Sequence, residues 1–236
     1  MSDHIVKAYD ADLSQLKTMI AEMGGLAEDQ LAKAMDALST RNGKLADAVI
    51  QADEKIDALE LAIEEKVILT IARRQPMAAD LRNVMVSIRV ASDLERIGDL
   101  AKNIAKRTHA MTDALPRNLA AGLTRMSRLV LEQLKHVLDA YALRDGDRAF
   151  AVWKSDEEID ALFSSIYREH LTYMMEDPRL IGMCTHLLFA AKNIERIGDH
   201  CTNIAENIYY LVTGKTIKED RPKKDNTSST PYDRAS

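Results

Sequence analysis

Apolar residues recur at every third or fourth position through the N-terminal part of the chain, which is the spacing of one face of an α-helix. These residues are Tyr9, Leu13, Leu16, Ile20, Met23, Leu31, Met35 and Leu38. The adjacent glycines Gly24 and Gly25 should weaken this helix by about 1 kcal/mol each, but the apolar spacing continues on both sides of them. The pattern therefore predicts a single helix over residues 4–40, ended by the turn at residues 42–43.

Five further stretches have helical periodicity, and prolines, glycines and short polar turns separate them. We expect these helices at residues 44–75, 78–110, 116–143, 147–176 and 179–213. Pro116 is expected to open the fourth of the six helices, because proline suits the first turn of a helix. The segment 215–236 has three apolar residues in 22 and contains two prolines, so we expect a disordered tail there.

The chain contains an internal duplication. The sequence ERIGD occurs at 95–99 and again at 195–199, an offset of 100, and residues 41–59 match residues 144–162 at 11 of 19 positions, an offset of 103. A unit of about a hundred residues is too long for a stacked solenoid repeat, which has roughly 20–50 residues. The sequence therefore predicts an all-α protein of two tandem three-helix bundles, residues 1–111 and 112–214, lying side by side.

Composition supports helices and narrows the classes of function. Hydrophobic residues make up 46%, aromatic residues 5% and charged residues 29% of the chain, a balance that favours helix over sheet. The net charge of −5 argues against a nucleic-acid-binding protein.

Cys184 and Cys201 are 17 positions apart on one predicted helix and cannot bridge each other. The N-terminus is acidic and no long apolar run is present, so we expect a cytoplasmic protein without a membrane span.

Pairs of carboxylates four positions apart occur four times, at duplicated positions. The pairs are Asp53 and Asp57, Glu95 and Asp99, Asp156 and Asp160, and Glu195 and Asp199. Four positions on a helix rise about 6 Å, so both members of a pair share one face, although like charges at that spacing destabilise a helix by a few tenths of a kcal/mol. If the second and third helices of each repeat pack antiparallel, the eight residues form two clusters of four.

Four carboxylates at close range must either raise their pKa values or find a counter-charge. Oxygen ligands suit Mg, Mn or Ca, and bridging carboxylates can also hold iron. Asn103 and Asn203 lie one turn further along and could add an amide oxygen to each cluster. The alternative for any single pair is a solvated acidic face neutralised by Arg96 and Arg196, but fourfold occurrence at duplicated positions favours metal binding.

Two further features bear on the chemistry. Gly98 and Gly198 lie in mid-helix, where glycine is unfavourable, and they indicate either close helix packing or room for an ion or a partner. The third position after Glu95 and Glu195 is glycine, whereas di-iron bundles have histidine there, which argues against oxygen activation. No phosphate loop, nucleophile set or zinc spacing is found, so we do not expect an enzyme.

The duplicated motifs together resemble the PhoU family of bacterial phosphate-transport accessory and regulatory proteins. The resemblance covers about residues 4–214 and includes the MGGL-x-E-x-QL stretch at 23–31, the Asp-x-x-x-Asp and Glu-x-x-x-Asp pairs and both ERIGD sequences. It implies a cytoplasmic negative regulator of the phosphate-starvation response that modulates phosphate uptake. The resemblance implies that such an adaptor links the ATPase subunit of the phosphate ABC transporter to the sensor histidine kinase of a two-component system. It would reach the membrane only through these partners and bind no nucleic acid.

The resemblance also implies a homodimer and a divalent or multinuclear metal, with Mn, Mg, Fe or Zn as candidates. The ligands it implies are Asp53, Asp57, Glu95 and Asp99 in one repeat and Asp156, Asp160, Glu195 and Asp199 in the other. Two other functions stay open. One is a helical scaffold whose acidic face binds a basic partner without metal, and the other is a carboxylate-bridged metal hydrolase or oxidase.

Overall fold

A computed structural model describes residues 2–111 and 117–219, and these ranges contain six α-helices and one short 3-10 helix. The helices are α1 (Ser2–Thr40), α2 (Gly43–Arg74), α3 (Ala79–Thr108), α4 (Arg117–Leu143), α5 (Gly146–Glu176) and α6 (Ile181–Thr213), with the 3-10 helix at Pro178–Leu180. Each predicted helix end agrees with the structure to within two residues, and α1 continues through its two glycines. The expected opening of the fourth helix at Pro116 and the expected disorder beyond residue 219 lie outside the described residues.

The turns before α2 and α5 have the same backbone conformation and the same kind of N-terminal capping hydrogen bond. Asn42 accepts a hydrogen bond from the Leu45 backbone N–H at 3.1 Å, and Asp145 accepts one from the Arg148 N–H at 3.0 Å. Each cap satisfies a backbone donor that has no partner within its helix. The preceding residues, Arg41 and Arg144, both adopt the left-handed conformation, with φ of 55° and 53°. The duplicated turn therefore gives the same entry into the second helix of each repeat.

Helices α1, α2 and α3 pack together as one bundle, and α4, α5 and α6 pack as a second. The bundles are joined along α3 and α6, which run antiparallel to each other. Asp93 of α3 lies 2.9 Å from the ring of His200 on α6, and Arg82 lies over the ring of Tyr210 near the other end of the seam. The predicted all-α fold of two tandem three-helix bundles is confirmed.

The core is built from the apolar faces of all six helices, and it includes the fully buried Trp153. Cys184 and Cys201 are both buried and free, as predicted from their spacing, and burial raises the pKa of both thiols. Over the described ranges, no helix combines the length and the apolar character that crossing a membrane would need.

Candidate metal centres

Glycine brings the carboxylate-bearing helices close together in both repeats. A Cβ atom on Gly98 would lie 2.9 Å from Ile56 Cδ1 on α2, and a Cβ atom on Gly198 would lie 3.2 Å from Ile159 Cδ1 on α5. Both positions therefore have little room for a side chain, which supports the close-packing interpretation of the two glycines. The contact also sets the register of the antiparallel pairs, because it places Asp53 opposite Gly98.

The first carboxylate cluster, formed by Asp53, Asp57, Glu95 and Asp99, lies between α2 and α3. Burial raises the pKa of Asp57, and the charges of Asp53 and Asp99 raise it further. Burial likewise raises the pKa of Glu95, which feels the charges of Asp99 and Asp57. Asp57 and Glu95 therefore both lie near enough to Asp99 for its charge to raise their pKa values.

Lys102 lies inside the first cluster. Its ammonium contacts Asp53 Oδ2 and lies 2.6 Å from Asp99 Oδ1. Burial disfavours the charged ammonium, but the hydrogen bonds to the two carboxylates outweigh burial and raise the pKa of Lys102. Burial alone would raise the pKa of Asp99 as well, yet the bond to Lys102 and the nearby charges bring it below its ordinary value. A lysine that the sequence analysis did not single out thus supplies the counter-charge.

The second carboxylate cluster, formed by Asp156, Asp160, Glu195 and Asp199, is the more deeply buried of the two. Asp156, Asp160 and Glu195 are 1%, 2% and 4% exposed, whereas Asp57 of the first cluster is exposed. Glu195 Oε1 accepts a hydrogen bond from Lys192 at 2.8 Å, but the buried Oε2 atom of the same carboxylate has no hydrogen-bond partner. Burial raises the pKa of Glu195, and Asp199 and Asp160 add to this.

Thr202 of α6 takes the place in the second cluster that Lys102 has in the first. Its hydroxyl lies 3.2 Å from Asp156 Oδ1 and 3.0 Å from the Gly198 carbonyl oxygen, and it can donate its single proton to either acceptor. The positions correspond under the offset of 100 that relates the two ERIGD sequences. At this duplicated position the first cluster has an ammonium and the second a hydroxyl, whereas Lys192, which contacts the second cluster, corresponds to Ser92 in the first repeat.

Two buried glutamines lie against Gly98 and Gly198, and the sequence analysis did not identify them as site residues. Gln30 of α1 donates to Asp53 Oδ1 at 3.0 Å and to the Gly98 carbonyl oxygen at 3.3 Å. Gln133 of α4 corresponds to Gln30 under the offset of 103, and the Oε1 atoms of both amides are buried without a hydrogen-bond partner. The recurring Gln-Leu pair, at 30–31 and 133–134, is the signal that could have revealed them.

Other residues considered from the sequence lie around the clusters. Arg96 is 3.4 Å from Glu95 Oε2 and 3.7 Å from Asp99 Oδ2, so it neutralises part of the first cluster from the solvent side. Asn103 is exposed, and the amide of Asn203 donates to Asp93 at 3.4 Å, in the seam between the repeats. Asn203 thus has a partner in the seam.

The donor chemistry of the second cluster fits a hard divalent cation. Its donors are carboxylate and amide oxygens, and Glu195 Oε2 and Gln133 Oε1 are buried acceptors that no protein donor satisfies. An ammonium contacts each cluster, that of Lys102 the first and that of Lys192 the second. Within residues 2–111 and 117–219, no group of three or more Asp, Glu, His or Cys side chains is placed so that it could hold a metal ion, so the predicted ligand roles stay predictions.

Comparison with known proteins identifies close relatives. The PhoU domain family matches residues 20–108 and 123–208. A phosphate-specific transport system accessory protein PhoU homolog of Rhizobium meliloti is 56% identical over 227 residues, which cover 96% of each protein. The phosphate-specific transport system accessory protein PhoU of Escherichia coli is 38% identical over 92% of this chain and 90% of its own length.

Two solved structures share the architecture. The crystal structure of PhoU from Pseudomonas aeruginosa superimposes with a TM-score of 0.84 at 36% identity, over 88% of this chain and all of that chain. The phosphate transport system regulatory protein PhoU from Streptococcus pneumoniae gives a TM-score of 0.83 at 29% identity, over 89% of this chain and all of its own.

Proposed function

Since the chain belongs to the PhoU family, we propose that it is an accessory and regulatory protein of phosphate-specific transport. In this proposal it is a cytoplasmic negative regulator of the phosphate-starvation response and has no catalytic activity. It links the ATPase subunit of the phosphate ABC transporter to the sensor histidine kinase, modulates phosphate uptake and acts as a homodimer. The observation that carries the proposal is the 56% identity to an accessory protein over 96% of both chains.

The proposal includes divalent metal ions held by the eight clustered carboxylates. Bound metal would neutralise buried negative charge and tie the second helix of a repeat to the third. Its support is the burial of Asp156, Asp160 and Glu195 together with the unsatisfied oxygens of Glu195 and Gln133. Among the candidates Mn, Mg, Fe and Zn, an all-oxygen donor set is best suited to Mg or Mn.

A scaffold that needs no metal is the second candidate function, and one observation favours it. Lys102 already neutralises part of the first cluster by pairing with Asp53 and Asp99. A protein with internal counter-charges could present its helical surface to partners without an added ion. Measuring the binding of the partners with and without metal separates the two candidate functions.

The test is a titration of the purified protein against the transporter ATPase subunit and against the cytoplasmic part of the sensor kinase. Each titration is run in chelator and in saturating Mn²⁺, for the natural chain and for a Glu195→Gln variant. We expect both partners to bind, more tightly with Mn²⁺, and the gain to shrink in the variant. Equal binding under both conditions would favour the scaffold, and failure to bind either partner would contradict the adaptor function.

A further inference from the structure

The seam between α3 and α6 contains two grooves that are related by the duplication. The cationic groove is lined by Asn103, Lys106, Arg107, Ala110, His186 and Asn193. The acidic groove, further along the seam, includes the counterparts of five of these residues under the offset of 100, which are Asp93, Asn203, Glu206, Asn207 and Tyr210. We propose that the cationic groove binds a phosphoryl group, either free inorganic phosphate or the phosphate of a small ester. This ligand is additional to the partners and the metal ions of the proposed function.

The cationic groove contains two positive side chains, and no carboxylate lines it. Lys106 is exposed and Arg107 is half-buried, and neither forms an ion pair with another residue of the ranges 2–111 and 117–219. Burial lowers the pKa of Arg107, and the charge of a described carboxylate does not offset this. A partly buried positive charge without a counter-ion is unfavourable, and a bound anion would relieve it.

Two contacts orient the guanidinium of Arg107 in this groove. Its Cζ atom lies 4.4 Å from the ring centroid of Phe189, and its Nη1 atom lies 3.3 Å from His186 Nδ1. A guanidinium can only donate, so Nδ1 accepts this hydrogen bond and the neutral imidazole carries its proton on Nε2. Among the described residues, the buried Nε atom of Arg107 has no hydrogen-bond partner, and Nη2 has none either and is not buried. Guanidinium groups bind oxyanions through two such adjacent donors.

The number of donors and the size of the cationic groove favour a phosphoryl group over a carboxylate. Besides the guanidinium, the groove is lined by the Lys106 ammonium, the amides of Asn103 and Asn193, and the imidazole of His186. A carboxylate has only two oxygens to accept these hydrogen bonds, whereas a phosphoryl group has at least three strong acceptor oxygens. The cavity measures about 260 Å³. Pockets for drug-sized ligands measure roughly 300–1,000 Å³, so this one suits a smaller ligand.

The acidic groove shows the same duplicated position with the opposite charge. Glu206, Asn207 and Asp93 stand where the cationic groove has Lys106, Arg107 and Asn193. Asp93 lies 2.9 Å from the ring of His200, and Glu206 accepts a hydrogen bond from Trp153 Nε1 at 2.9 Å. These carboxylates have partners within the protein and would repel an anion, so only the cationic groove should bind phosphate. Arg89 lines the acidic groove and provides the matched control for removal of an arginine.

The experiment titrates the full chain with inorganic phosphate by isothermal titration, at constant ionic strength and in chelator so that metal ions do not contribute. We expect a single site, which Arg107→Gln weakens by at least about tenfold and Arg89→Gln leaves unchanged. Lys106→Glu combined with Arg107→Asn, which copies the acidic groove into the cationic one, should abolish binding. A parallel titration with adenosine monophosphate distinguishes the two sources, because tighter binding of this ester than of free phosphate would identify an ester as the ligand.

Thermal melts separate ligand binding from a purely structural role of Arg107. If Arg107 only held α3 against α6 through Phe189 and His186, phosphate would leave the Tm of the natural chain unchanged. We expect phosphate to raise that Tm at constant ionic strength, and the increase to shrink in Lys106→Gln, which changes an exposed side chain and keeps Arg107 in place.

Three outcomes would overturn the proposal. The first is that neither phosphate nor adenosine monophosphate binds the natural chain. The second is binding that Arg89→Gln weakens as much as Arg107→Gln does, since this would show a general effect of positive charge. The third is that acetate or an acidic peptide binds more tightly than phosphate at the same ionic strength, which would assign the cationic groove to carboxylates.

Discussion

Single carboxylates in the two clusters lie in opposite electrostatic environments. Asp99 is stabilised as an anion by Lys102 and Arg96, and its pKa is below its ordinary value despite partial burial. Glu195 is buried, with Asp199 and Asp160 nearby, and its pKa is raised. A lowered carboxyl pKa means that the folded state gains from ionisation, and a raised pKa means that ionisation is penalised on folding. Neutralising these two residues should therefore have opposite effects on metal-free stability.

Glu195→Gln should stabilise the metal-free protein. At neutral pH the unfolded carboxyl is ionised, so the folded chain carries the penalty of the buried charge. This penalty shrinks as pH falls below the raised folded pKa, and it is gone below the ordinary, unfolded pKa. We expect an increase in the free energy of unfolding of about 0.2–0.5 kcal/mol at pH 7, the range for relief of like-charge repulsion. Denaturant melts in chelator measure it. A loss of stability would show that the bond to Lys192 dominates at this residue.

Asp99→Asn should destabilise the metal-free protein, because it removes one carboxylate from the Lys102 bridge. Both side chains are partly exposed, so we expect a loss of no more than about 1 kcal/mol at neutral pH. The stability that Asp99 contributes is present above its unfolded pKa and is lost as pH falls through the lower folded pKa, so the difference from the natural chain should vanish in acid. A difference that persisted at low pH would contradict the electrostatic explanation.

The affinity for Mn²⁺ should fall as the pH is lowered, because a carboxylate must lose its proton before it can act as a ligand. Burial raises the pKa of Glu195, so the loss should begin at a higher pH than for an ordinary glutamate. Isothermal titrations between about pH 5 and pH 8 test this, with Glu195→Gln as the control. Affinity independent of pH over that range would exclude Glu195 as a ligand.

At the scale of helices, Gly24 and Gly25 of α1 show that neighbouring glycines can differ in their effect on stability. One affects the packing between helices, and the other affects only the helix propensity of α1. A Cβ atom on Gly24 would lie 2.5 Å from Leu138 Cδ2, so Gly24 is where α1 and α4 approach each other closely. A Cβ atom on Gly25 would have no neighbour within 4 Å. Adjacent glycines thus have different roles: one permits contact between the repeats, and the other only lowers the helix propensity of α1.

Gly25→Ala should therefore stabilise the protein by up to about 1 kcal/mol, the difference in helix propensity between the two residues. Gly24→Ala should destabilise it, since Leu138 must move and its packing outweighs the same gain in propensity. Thermal or denaturant melts of the two variants, which differ only in position along one helix, provide the comparison. A gain in stability from both substitutions would contradict the close contact between α1 and α4.

The helices could be predicted because their signals are local. Asn42 and Asp145 cap the helices that follow them, and the spacing of the carboxylate pairs places each pair on one face. Lys102 could not be found in this way, because comparison of the two repeats emphasises identical positions and its counterpart is Thr202. The pairing of Asp93 with His200 was not foreseen either, since it depends on how α3 packs against α6.

At the scale of the whole molecule, side-chain contacts join the two repeats at several points along α3. Arg107 of α3 lies over the ring of Phe189 at 4.4 Å, and the ring nitrogen of His200 lies 2.9 Å from Asp93. The hydroxyls of Ser87 and Tyr141 share a buried hydrogen bond at 3.2 Å. Because α3 and α6 each pack in their own bundle and against each other, neither bundle can unfold without exposing part of the other.

We therefore expect the chain to unfold in one calorimetric transition, with equal calorimetric and van't Hoff enthalpies. Mn²⁺ bound at the carboxylate clusters should move this whole transition upward, by about 2.7 kcal/mol of unfolding free energy at a free concentration a hundred times Kd. Glu195→Gln should reduce the shift, because it removes one of the proposed ligands. Two transitions, of which Mn²⁺ moves only one, would show that the repeats unfold separately and that metal bound in one repeat does not stabilise the other.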